Sequence, residues 1–169
     1  MILNDPWRQI RETSLIRLSP RLYAKVETEN PTGSIKDRPI QYIVKKAIEN
    51  FEINPTSTLV EASSGNTGIS LCAIGASLGL RVKIIMPVNM SQERKDMMRS
   101  FGAEVIEAPP SDFKAAIQMR NDMVFWETNH WSPMQFENHQ NIACHRDTTA
   151  KEIFSQAPTN SMISAFFRR

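Results

Sequence analysis

A chain of 169 residues is long enough to bury a hydrophobic core, and its length fits one domain. Its 20 lysines and arginines stand against 18 aspartates and glutamates and are spread along the sequence, which argues against a nucleic-acid partner. The start M-I-L-N-D-P-W-R has no basic region ahead of an apolar one, no apolar run approaches the ~20 residues that span a bilayer, and Cys72 and Cys144 lack framework spacing. These features describe a cytoplasmic protein with no membrane partner and no structural disulfide.

In chain order, L-I-R-L and L-Y-A-K-V-E-T read as one or two strands. A helix is expected over 36–50, where Ile40, Ile43, Val44, Ala47 and Ile48 draw one apolar stripe and Pro39 falls in the first turn. Strands at 58–63, 81–86, 104–107 and 123–126 are short and mostly rich in valine or isoleucine. Helices fill the gaps. One runs over 67–78 to a left-handed cap at Gly79, one follows an N-cap at Ser91 and ends at Gly102, and one starts at a Ser111 cap and reaches about Asn121. A further capped helix begins near Asp147, and M-I-S-A-F-F reads as a buried strand. The alternation predicts an α/β fold, a parallel sheet with flanking crossover helices.

Two motifs carry chemistry. N-P-T-G-S-I-K-D-R at 30–38 sets Lys36 behind a tight turn at a helix start, which makes it a candidate Schiff-base lysine. S-S-G-N-T-G at 63–68 follows an apolar strand and opens a helix, so backbone N–H groups, hydroxyls and the helix dipole face a common point suited to an anion. Taken singly, each has a plainer reading: a solvated lysine, and a turn with a cap. Asp37 and Arg38 read as an ion pair orienting the lysine turn or as a solvated pair. His139, Cys144 and His145 fit no common zinc spacing, so no metal site is expected. Cys72 reads as a small buried hydrophobe.

Together with M-P-V-N-M-S-Q-E-R, F-G-A-E-V-I, Q-F-E-N and H-R-D-T-T-A-K-E, these motifs closely resemble the cysteine synthase (O-acetylserine sulfhydrylase) family of fold-type-II pyridoxal-phosphate enzymes, whose fold is that of the tryptophan synthase β-subunit. M-S-Q-E-R leans towards the B-type branch. The resemblance spans about the first half of a family member. It implies a transferase that replaces the acetate of O-acetylserine with sulfide or thiosulfate, giving cysteine or S-sulfocysteine in a biosynthetic role. Lys36 would hold pyridoxal 5'-phosphate as a Schiff base and then take the amino acid's α-proton. Asn66 would stand beside the ring hydroxyl, while Ser63, Ser64, Gly65, Thr67 and Gln135 would meet the substrate carboxylate. The family more often has threonine where Ser63 stands, and its histidine matching His145 is structural. Family members are dimers, so a homo-oligomer is expected.

The resemblance further implies a smaller α/β domain at 39–146, with 1–38 and 147–169 forming a fragment of an incomplete larger domain. The glycine-rich loop that holds the cofactor phosphate in the family has no counterpart, because Gly102 is the last glycine. The truncated chain is therefore expected to bind the cofactor weakly or to be inactive. Two alternatives stay open: a serine or threonine dehydratase of the same fold, and a non-catalytic fragment that self-associates or binds a partner through unpaired strands at 15–18 and 162–167.

Overall fold

A computed structural model describes residues 12–158 of the chain. Strands β1 (Leu15–Ser19) and β2 (Leu22–Lys25) form an antiparallel ribbon that leads through a short 3-10 turn to α1 (Asp37–Glu49). The sequence then alternates: β3 (Thr58–Ala62), α2 (Asn66–Leu78), β4 (Arg81–Pro87), α3 (Gln92–Ser100), β5 (Glu104–Ala108), α4 (Phe113–Trp126) and β6 (His130–Trp131). Helices α5 (Gln140–Asp147) and α6 (Thr149–Gln156) follow.

The four later strands pair in parallel in the order β5-β4-β3-β6. Because helices cover both faces, the central strand β3 is buried at every position. On one face Leu59, Val82, Ile84 and Met86 pack with Ile40 and Val44 of α1, Leu71 and Ile74 of α2, and Met98 of α3. On the other, Val60, Ala62, Ile85 and Ala108 meet Phe113, Ala116, Ile117, Met123 and Val124 of α4. The expected stripe on α1 is buried except for Ile48, which is exposed. Helix α2, apolar nearly all round, is buried from Thr67 to Gly75 and ends at Gly79 with φ 68°. Among the described residues, no helix is long and apolar enough to cross a membrane.

The chain moves from β3 outward to β4 and β5, then returns by way of α4 to place β6 on the other side of β3. Strand order reverses at β3, and in open parallel sheets ligands bind beyond the carboxyl ends of the strands at such a reversal. The loops that leave β3 and β6 there are 63–65 and 132–139.

Several expectations differ from the structure. Residues 123–126 continue α4 rather than form a strand, because positions 113, 116, 117, 120, 123 and 124 make one helical stripe. Arg120 sits within that stripe and is buried, which breaks its apolar pattern in sequence. The cap of α4 is Asp112, whose carboxylate accepts from Ala115 N at 2.9 Å, while Ser111 takes a left-handed φ of 57° before it. Ser91 is the N-cap of α3, but its hydroxyl bonds Glu93 rather than the helix backbone. The strand at 15–18 is paired, with Leu15 opposite Lys25 and Ile16 opposite Ala24. The expected strand at 162–167 lies outside the described residues.

Candidate active site

The turn before Lys36 is closed by Gly33 N donating to Asn30 O at 2.8 Å, with Gly33 at φ 77°, a conformation that favours glycine. Ser34 Oγ accepts from Lys36 N at 3.1 Å, and Lys36 stands at the N-cap of α1. Asp37 and Arg38 behind it are both fully buried, yet they pair with different groups, since successive helical residues point about 100° apart. Asp37 accepts from Thr32 N at 2.7 Å, from the Thr32 hydroxyl and from Ser70 Oγ at 2.5 Å, tying the turn to α2. The expected Asp37–Arg38 pair, whether orienting or solvated, is replaced by this arrangement.

Arg38 reaches the other way. Its guanidinium donates to Glu27 at 2.7 and 3.0 Å, to Glu152 at 2.5 and 2.8 Å, and to Thr13 Oγ1 at 3.0 Å. Burial pushes Glu27 up, but bonds from Arg38 and Thr13 outweigh it and leave the carboxyl below its ordinary value. Glu152 is lowered for the same reason, with burial opposed by Arg38 and Lys25.

The second motif folds around Ser63. Its Oγ accepts from Gly68 N at 2.9 Å and from Gly65 N at 3.4 Å, closing the loop onto the first turn of α2. A Cβ on Gly68 would lie 2.7 Å from Met98 Cε, the movable end of that side chain, and 3.3 Å from Ser63 Oγ, so a larger residue there would require both to give way. The N-cap of α2 is Gly65, and its first turn holds no acidic residue, so no side-chain carboxylate there offsets the positive end of the dipole. Ser63 and Thr67 are buried, Ser64 and Gly65 half-buried, and Asn66 is exposed at the first helical position. Arg94 of α3 donates to Ser64 O at 3.1 Å from above the loop.

Gln135 joins the two motifs. Its side-chain carbonyl accepts from Thr67 Oγ1 at 2.7 Å and from Lys36 Nζ at 3.3 Å. Lys36, Thr67 and Gln135, separated widely in sequence, thus converge on one point beside the Ser63 loop. Behind Gln135 lies a group that motif reading passed over. Glu61 accepts from Gln135 N at 3.4 Å and pairs with Arg120 at 3.1 Å, both side chains almost wholly buried. Burial raises Glu61 above its ordinary value, outweighing the lowering by Arg120. A glutamate inside an otherwise apolar strand was the available signal.

The cysteines and histidine lie elsewhere in chemical character. Burial pushes the Cys72 thiol up to about 12 and the Cys144 thiol up to about 11. His145 Nδ1 is 3.0 Å from Thr149 Oγ1, a bond between α5 and α6.

An amine beside an amide and a hydroxyl, at the mouth of a helix N-terminus, suits an aldehyde-bearing cofactor and an amino-acid carboxylate. The ring end of pyridoxal phosphate therefore fits the donors present. None of the six glycines of the sequence follows Gly102.

Comparison with known proteins identifies the family and the fold. A cysteine synthase from a Flavobacterium strain is 36% identical over 150 residues, covering 88% of this chain and 49% of that protein. Cysteine synthase B of Campylobacter jejuni is 42% identical over 149 residues, covering 85% and 50%. The crystal structure of a hydrogen sulfide-producing enzyme from Fusobacterium nucleatum superposes with a TM-score of 0.83 at 33% identity, over 92% of this chain and 53% of that one. The chain spans about half the length of the curated relatives it matches. Residues 7–167 match the profile of the pyridoxal-phosphate dependent enzymes, and the chain belongs to that family.

Proposed function

We propose that this chain carries the amino-acid-facing half of a cysteine synthase, replacing the β-acetate of O-acetylserine with sulfide or thiosulfate. The observation that carries the reading is the convergence of Lys36, Thr67 and Gln135, with Lys36 Nζ 3.3 Å from Gln135 Oε1. The similarity to cysteine synthases, one of them of the B type, supports the choice of reaction. When bound, pyridoxal phosphate supplies an electron sink for charge left at the α-carbon. Lys36 holds the cofactor and moves the α-proton at Nζ. Thr67, Gln135 and the Ser63–Gly65 loop hold the carboxylate at the positive end of α2, and Asn66 flanks the ring.

In this reading 39–146 is the smaller domain, and the segments on either side belong to a larger one. Bonds from Lys25 to Gln156 at 2.9 Å and from Gln156 to Thr13 O at 2.9 Å, which tie those segments together, support that division. The reading carries with it a cytoplasmic homodimer. A second reading, a non-catalytic fragment that associates through apolar surface, draws support from Leu18, Leu22, Phe136, Ile142 and Phe154, all more than half exposed.

The test is an absorbance titration with pyridoxal phosphate beside Lys36→Ala. A saturable band in the parent alone supports the first reading and leads to assays with O-acetylserine and sulfide or thiosulfate. A band equal in both proteins, or none, overturns it for this chain. A chain that is then oligomeric by size-exclusion mass measurement supports the second.

A further inference from the structure

We infer that Glu61 is a positioning residue: it touches no reacting group, and it sets where Gln135 presents its amide to Lys36 and Thr67. Strand β6 stops pairing after Trp131 opposite Leu59, so no ladder holds the following segment against β3. The next hydrogen bond from that segment to β3 is a side-chain one, the long bond from Gln135 N to Glu61 Oε2 at 3.4 Å. On its other oxygen Glu61 is fixed by Arg120 Nη1 at 3.1 Å and by Ala62 N at 2.8 Å. The backbone carbonyl of Gln135 is fixed in turn by Asn141 Nδ2 at 3.0 Å, so the two peptide units that flank its Cα are each held by a side chain.

Two further observations favour placement over bulk stability. Met134, next to Gln135, takes a left-handed φ of 46°, and a non-glycine residue stays in that region only where its surroundings over-determine it. A buried carboxylate–guanidinium pair adds little stability compared with an apolar pair of the same volume, yet one stands here between β3 and α4. The outcome is chemical. With its oxygen end held by Thr67 and Lys36, the Gln135 amide keeps its NH₂ end as a donor for a carboxylate. The inference deepens the proposed function and rests on it for the identity of that carboxylate, but the grip itself is open to measurement without cofactor.

The experiment uses hydrogen exchange of the 15N-labelled 169-residue chain, comparing two double variants. Glu61→Met with Arg120→Met removes both charges and keeps the volume, so the fold is retained. Glu61→Gln with Arg120→Met keeps an acceptor oxygen for Gln135. The Gln135 N–H is expected to exchange roughly tenfold faster in the first variant and to recover in the second. Ile84, at the centre of β4, is the internal control and should not change in either. Equal Gln135 exchange in the two variants, or a rise shared by Ile84, would overturn the assignment. Should Gln135 respond as stated while pyridoxal phosphate gives no Lys36-dependent band, the positioning role stands and the cofactor reading falls.

Discussion

Arg38 and Glu152 meet through two hydrogen bonds, Nη1 to Oε1 at 2.5 Å and Nη2 to Oε2 at 2.8 Å, across 114 positions of sequence. The pair fixes the start of α1, and with it the turn that presents Lys36, to a helix at the far end of the described chain. Glu27 completes the contact from the segment after β2.

Breaking this cluster from its centre is expected to be costly. Arg38→Met leaves Glu27 and Glu152 partly buried without their main counter-charge, and a loss of about 3 kcal/mol follows from the removal of one partner of a buried pair. Urea unfolding of parent and variant measures it. A loss below about 1 kcal/mol, typical of a surface pair, would mean that the cluster is solvated.

Acid should act on the same cluster. Glu27 and Glu152 are held below the ordinary value of 4.5, so their contribution is complete above that value and is lost as pH falls through the lowered ones. Glu61, raised by burial, has the opposite sign: its contribution is complete below 4.5 and is lost as pH rises through its raised value. The urea midpoint of the parent is therefore expected to fall as pH drops below 4.5, and Arg38→Met should flatten that dependence.

The elements legible in the sequence were those with a clean period and a marked end. The α1 stripe of Ile40, Ile43, Val44 and Ala47, the glycine end of α2, and the valine- and isoleucine-rich strands β3 to β5 all have these features. Strand β6 does not, because two residues carry no period. The end of α4 was misread because M-V-F-W has strand-like composition, and only its register with Phe113 and Ala116 marks it as helix. The site divides in the same way. Lys36 and the Ser63 loop have motifs, whereas the bonds that bring Gln135 to them depend on Glu61 and Asn141, single residues without a pattern around them.

Ser63 offers a local test. Ser63→Ala removes the acceptor for Gly68 N and is expected to cost about 1 kcal/mol. Ser63→Thr keeps the hydroxyl and should stay close to the parent. Thermal unfolding of the two variants decides, and an alanine variant as stable as the threonine one would count against the bond.

Neither thiol should react while the chain is folded. Cys72 and Cys144 are buried, with thiols pushed up to about 12 and about 11, so at pH ~8 the thiolate fraction is of order one in a thousand or less. Mass spectrometry after brief iodoacetamide treatment should show an unmodified native chain and two alkylations in guanidinium. Rapid single alkylation of the native chain would place one thiol at the surface.

The ribbon of β1 and β2 has a further consequence, in time rather than space. Thr13 N, at its entrance, bonds Glu152 at a separation of 139 positions, and Lys25, at its exit, pairs with the same carboxylate at 2.7 Å. A ribosome adding about 5–20 residues per second makes the ribbon on the order of ten seconds before it makes that partner. For that interval the ribbon's ionic latch is unmade, so the first of the described strands to be synthesised are among the last to be secured.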